Sequence, residues 1–494
     1  MSKRLRLFPP IFAAFVISLQ IFTNARAQDI DVRLKITVES HVSADIRGNF
    51  ALNNQRKIPR NLWFLDEYAG ISGLTNRLSI VYIYDNQGYL IARKRFTAAE
   101  RVSSIEIGGF GYSVGLTPFA NASAAAHVSW VNGDGGLLLL DDLLPQSVGK
   151  TANVKIEMPA GWKVFTTESE SGPNVFDVSD VEKAVFYIGS HIREQQVRAG
   201  NSPLKLLISG EWLFSDKDAA AMVESIFGEY DRLFGRLPRS ALRVWISKFP
   251  IPVGVGNWEA DSRGGSVTIV SSDMPFKAQS LQRLHEQLRH EIFHLWIPNG
   301  VNLSGNYDWF YEGFALYQSL KTGVAVNRIR FDDFLDTLSR AYEIDSMQAK
   351  KLSLIDASKN RWNGSNTQIY ARGMLVAFLC DLALLEKSKG KISVSSLLRE
   401  IFERHRPPNP SRDGNSAIIA ILREHRELNA IVDSYILGAE PIEWMALIKS
   451  AGIEADINHQ LTKLKVTAKP TGRQKDLLDK LGYNNWRKLS GSNR

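Results

Sequence analysis

His290-Glu291-Ile292-Phe293-His294 sets two imidazoles four residues apart with a carboxylate between them. On a helix, residues four apart project from one face, so both rings can reach a single divalent cation. Glu291 is turned by about 100° from His290 and can address a water bound to that cation. A catalytic zinc takes three protein ligands and leaves a fourth position open. Glu312, in Trp309-Phe310-Tyr311-Glu312-Gly313-Phe314-Ala315, follows His294 by 18 residues and supplies the third. The expectation is one zinc per chain on His290, His294 and Glu312, with Glu291 as general base. Nearby His285 and Glu286 form no such pattern and read as solvated helix surface.

These residues need a rigid helix pair to present them. Ala278 to Trp296 reads as one long helix, with Leu281, Leu284, Leu288 and Leu295 recurring on a face away from the histidines. Pro298 to Asp308 supplies a turn, and Asn306 or Asp308 is placed to cap a second helix that returns with Glu312. Upstream, Leu204 to Ile208, Leu242 to Ile246 and Ser266 to Val270 read as strands and Asp216 to Phe234 as a helix, an α+β arrangement. From Ile30 to about residue 200 the apolar residues alternate, as in Val32-Arg33-Leu34-Lys35-Ile36, between turn signals such as Asn132-Gly133-Asp134-Gly135-Gly136, which predicts a β-sandwich. Beyond Arg330 the helical period dominates.

The chain is therefore expected to be multidomain: an N-terminal all-β sandwich over 28–202, a thermolysin-like α+β catalytic domain over 203–335, and an α-helical domain over 336–457 that completes the cleft. A basic tail would occupy 458–494. Residues 1–27 carry Lys3, Arg4 and Arg6, then an apolar run, then Ala25-Arg26-Ala27, and read as a signal peptide cut before Gln28. No stable membrane insertion is expected after cleavage. With 44% hydrophobic and 23% charged residues the composition is that of a folded chain rather than a disordered one. The net charge of +8 is concentrated in the leader and the last residues, so no nucleic-acid face is implied. The single cysteine, Cys380, lies in an apolar helical run and reads as a buried hydrophobe.

The residues around the metal resemble the glycyl aminopeptidase family, within the thermolysin-like zinc peptidases that use two histidines and a glutamate. That family's H-E-F-F-H-L-W and W-F-x-E-G-F stretches are similar to His290 to Trp296 and Trp309 to Phe314. Gly256-Asn257-Trp258-Glu259-Ala260 resembles its G-G-L-E-H, without the paired glycines and the histidine. Tyr370-Ala371-Arg372-Gly373-Met374-Leu375-Val376-Ala377 resembles its Y-x-K-G-A-L-V-A, and Tyr435 to Trp444 its Y-x-x-G-x-E-P-L-P-Y. The resemblance implies that Tyr370 donates to the oxyanion, that Glu259 binds the substrate's free α-amino group, and that peptides or proteins are the substrates. It further implies a bacterial exported enzyme, periplasmic or secreted, favouring small N-terminal residues. Residues after 458 are too few and too polar for the PDZ module many members carry.

Two rival readings differ in class. Gly111-Tyr112-Ser113-Val114-Gly115 satisfies G-x-S-x-G, but a nucleophile elbow needs a strand, a sharp turn and a helix, whereas Leu116-Thr117-Pro118 follows inside the sandwich. The other is a catalytically inactive relative acting as an envelope binding or scaffold protein; retention of Glu291 weighs against it.

Overall fold

The computed structural model describes residues 29–51, 59–199, 202–458 and 461–485. The leader peptide read at 1–27 lies outside the described residues. Two β-sheets open the chain. Ile30–Val38 hydrogen-bonds antiparallel to Val42–Phe50 and parallel to Ala152–Glu157, at the centre of an eight-stranded sheet. Its alternation is literal: Ile30, Val32, Leu34 and Ile36 are buried and the residues between them exposed. They pack on one core with Leu138, Phe186 and Ile188 from a four-stranded sheet, which makes the sandwich. Ser113 sits inside the strand Ile107–Gly115 and donates to Asp45, two residues before the strand's end and well short of the next helix, Ala124–His127, so the strand–sharp turn–helix of an elbow is absent there.

The second half holds a five-stranded sheet: β1 (Arg193–Ala199), β2 (Ser202–Ile208), β3 (Arg243–Lys248), β4 (Trp258–Arg263) and β5 (Ser266–Ser271). Their order is β1-β2-β3-β5-β4, so β4 is an edge strand, paired antiparallel to β5 on one side only. Helix α1 (Asp216–Phe234), with a Ser215/Asp218 capping box, packs on α2 (Lys277–Phe293). Helix α3 (Asp308–Ala325) returns past α2, followed by α4 (Phe331–Ser346) and α5 (Asn366–Ser388). Neither Asn306 nor Asp308 caps α3: its N-cap is Tyr307, without a side-chain bond. Helices α3 and α5 cross at Gly313 and Gly373, where a Cβ on Gly313 would stand 2.4 Å from the Gly373 Cα. Among the described residues, α5 is the one helix long and apolar enough to cross a membrane, and 94% of that window is buried within the protein. Cys380 is one of its buried residues and is free.

The stretch expected as a basic tail is partly built into the fold. Leu461–Val466 pairs with Ile453–Asn458 in a hairpin laid on α4, and α6 (Gly472–Leu481) buries Leu477, Leu478 and Leu481. The lysines that dominate its composition are interleaved with these leucines and occupy the other face, which is why the segment reads as a tail.

Candidate metal centre and active-site cleft

Helix α2, which ends at Phe293 rather than running to Trp296, its C-cap His294, and α3 bring His290, His294 and Glu312 together, all three buried, with one ligating atom of each within 4.8 Å of the others. His290 Nε2 lies 3.1 Å from Glu312 Oε2 and 3.1 Å from His294 Nε2. His294 Nδ1 stands 3.0 Å from the Ile297 carbonyl oxygen, which fixes that nitrogen as the donor and turns the Nε2 lone pair inward. Two imidazole nitrogens and a carboxylate oxygen thus converge on one point, a donor set that fits zinc. Burial resists ionisation of Glu312, yet Arg361 and His294 hold its carboxyl well below the usual range. For His294, burial opposes protonation and Glu312 more than offsets it, so the ring titrates at about 9 and a metal entering there displaces a proton.

Glu291, one residue along α2, faces the same cavity from the side of β4. The Ser262 hydroxyl is 2.9 Å from Glu291 Oε2, while Oε1 lies 4.0 Å from His290 Nε2, toward the metal-ligating group. Burial raises the Glu291 carboxyl above its ordinary value, against the pull of His290 and His294. Asn299 anchors the strand to the end of the helix: its amide nitrogen donates to Ser262 O at 2.7 Å and to His294 O at 3.1 Å.

The cavity, about 610 Å³, is lined by β4, α2, α3, the start of α5 and two N-terminal side chains, Tyr68 and His127. Tyr370 and Glu259 both line it, on different walls. Burial, with Glu312 adding to it, pushes the Tyr370 phenol well above its ordinary value. Glu259 stands on the edge strand, 3.4 Å from the Ser123 hydroxyl and 3.9 Å from His127 Nε2, and burial raises its carboxyl.

Sequence reading misses Arg361. Its Nη2 lies 2.9 Å from Glu312 Oε1 and 3.1 Å from Tyr370 Oη, while Nη1 donates to Asp308 at 2.8 Å. One guanidinium therefore joins Glu312 on α3 to Tyr370 on α5. Nothing local marks it, since Arg361-Trp362-Asn363-Gly364 looks like any polar turn. His285 is a correction: far from solvated surface, it is 5% exposed, and burial with Arg289 and Arg328 nearby lowers its pKa to about 3. Glu286, by contrast, is solvent-facing and pairs with Arg283.

No protein-family model matches the chain, and no curated protein does. Solved structures do. An aminopeptidase N family protein from Idiomarina loihiensis superposes with a TM-score of 0.71 at 16% identity, covering 86% of this chain and 79% of that one. An M1 zinc metallopeptidase from Deinococcus radiodurans superposes with a TM-score of 0.53 at 14% identity, covering 84% of this chain and 95% of the other. A variant of the latter, bound to a Tyr-Ser-Ala substrate, matches with the same TM-score, 0.53, at 15% identity. At these identities the likeness is one of fold: a β-rich N-terminal domain, a mixed α/β domain and a helical region.

Proposed function

We propose that this protein is a zinc-dependent peptidase that hydrolyses peptides by attack of water, acting as an aminopeptidase on small N-terminal residues. One observation carries the reading: three buried ligating atoms converge within 4.8 Å, with an unligated buried glutamate beside them. The fold neighbours named as zinc metallopeptidases support it, as do the motifs resembling glycyl aminopeptidases.

His290, His294 and Glu312 would hold the ion, which when bound lowers the pKa of a coordinated water and polarises a carbonyl. Glu291 takes the proton from the attacking water at Oε1 and returns it to the leaving amine. Ser262 keeps Oε2 occupied, so the carboxylate presents one oxygen to the reaction. Tyr370, its phenol pushed well above the ordinary value, keeps its proton and donates a hydrogen bond to the developing oxyanion. Arg361 donates to the Tyr370 oxygen, leaving the phenolic hydrogen to point elsewhere, and orients the ligand Glu312 through its other oxygen. Glu259 offers a carboxylate on the cavity's edge strand for the ammonium of a peptide N-terminus.

Export is part of the proposal and rests on the leader-like first 27 residues. Peptides or proteins are the partners proposed, rather than nucleic acid or the interior of a membrane. The test is metal analysis of the purified chain together with hydrolysis of fluorogenic Gly and Ala substrates before and after chelation. About one zinc per chain with chelator-sensitive release is expected. Zinc without release from these or internally quenched peptides would support the inactive binding protein instead, and absence of zinc affinity would overturn the reading.

A further inference from the structure

Beyond the metal-ligating group, the cavity's lining takes in a lobe of Glu286 and Arg289 on α2, Leu316, Ser319 and Leu320 on α3 and Thr337 on α4, none of them on the strand that carries Glu259. Ser319 follows Glu312 by two helical turns, about 10 Å along the axis, on the same face of α3. At that point lies the guanidinium of Arg289, 5% exposed. Its Nε donates to His285 O of its own helix at 3.2 Å and its Nη1 to Ser319 O at 2.7 Å. Among the described residues no carboxylate comes within ion-pair distance of it, and Nη2 has no partner. Glu286 shares the lobe, but Arg283 engages it at 3.1 Å and its side chain is 55% exposed. Beside Arg289, the Nε2 of His285 is buried without a partner.

Among the described residues, the two other arginines classed as buried, Arg263 and Arg372, are matched by carboxylates, and so is Arg361 in the same cavity. Arg263 meets Asp261 at 2.6 Å, Arg361 meets Glu312 at 2.9 Å, and Arg372 meets Asp345 at 3.2 Å. A buried cation facing a cavity with no counter-charge is costly, and a carboxylate arriving in that cavity relieves the cost with a charge-assisted hydrogen bond. The lobe also packs for the guanidinium: a Cβ on Gly323 would fall 2.5 Å from Nη1.

We infer that Arg289 recognises a carboxylate on the residue that follows the scissile bond, either a glutamate side chain or the free C-terminus of a dipeptide. The inference rests on the peptidase reading, and on Glu259 taking the N-terminal end so that this lobe receives the leaving residue. Substrates are then short or acidic peptides rather than peptides at large.

Three compounds separate the sources: alanyl-glutamine amide (neutral), alanyl-glutamate amide (side-chain carboxylate) and alanyl-glutamine with a free C-terminus. Measured as kcat/KM on the zinc-loaded protein, at least one carboxylate form should exceed the neutral amide by about 10-fold or more, as expected for a hydrogen bond to a charged group. Whichever form leads identifies the source. In Arg289→Met that ratio should fall to about one, and Arg289→Lys should keep part of it. Calorimetric binding of the same compounds to Glu291→Gln reads the preference without turnover. Equal values for all three compounds, or a preference that survives Arg289→Met, would overturn the inference. If the neutral amide and both acids all go unhydrolysed while the binding preference is present, the peptidase reading fails and the subsite stands.

Discussion

The two halves of the molecule treat charge differently. Among the described residues of the sandwich, those classed as buried carry no charge, and Arg77 and Asp142, with side chains 10% and 7% exposed, close on each other. In the second half Arg263, Arg289, Glu291, Asp308, Glu312, Asp345, Arg372 and Asp381 are all buried. Burying charge costs free energy unless it is paired, so it accumulates where geometry has to be held or chemistry done. Within that half the charges divide again. Arg372 with Asp345, and Asp381 with Lys321 and the Tyr317 hydroxyl, are closed pairs that tie helices together. Glu291, Glu312 and Arg289 face the cavity. Buried charge alone does not mark a site; buried charge directed at a cavity does.

Substitutions can break this division, and the largest effect is expected at Glu291. Glu291→Gln should lower kcat by about 10³-fold or more while zinc content is kept, since it removes the proton acceptor and no ligand; rates near wild type would remove Glu291 from the mechanism. Next, Arg372→Met should cost about 3–5 kcal/mol in chemical denaturation, because it leaves buried Asp345 with only Lys351 at 3.8 Å and strips the donor from the Tyr435 and Glu440 carbonyls, with zinc per folded chain unchanged. Arg361→Met straddles the two classes: zinc affinity should weaken about 10–100-fold, with a fall in kcat as Tyr370 loses its donor, both read by competitive chelation and steady-state kinetics. At the small end, Arg33→Ala in the sandwich removes an exposed contact with Glu157 and should change stability by about 0.5 kcal/mol or less. A large loss there would mean the sandwich, too, depends on its charges.

What was legible in the sequence followed the same line. Periodic features were readable because they are local: alternation in Ile30 to Ile36, the four-residue step from His290 to His294, and a second helix to return Glu312. The fold class, sandwich then α+β then helices, is the observed one. Tyr370 and Glu259 were reachable only through the resemblance, since neither position has a local chemical signature, and the structure places both on the cavity wall. Arg361, Ser262 and Arg289 were not legible at all. Their roles depend on partners 49, 29 and 30 residues away, brought together only by tertiary packing. His285 was misjudged because a polar residue beside Glu286 looks solvated until α3 and its neighbours close over it. The C-terminal segment was misjudged because its lysines outnumber the leucines that actually dock.

The crossing of α3 and α5 at Gly313 and Gly373 leaves no room for a single methyl group. Glu312 is the immediate neighbour of Gly313, and Tyr370 lies one turn from Gly373. Any side chain introduced at either glycine would spread the helices and draw the ligand away from the oxyanion donor. Mutational drift is thus restrained at two positions that carry no functional group, and a library screened for activity should be depleted there as it is at the metal-ligating residues.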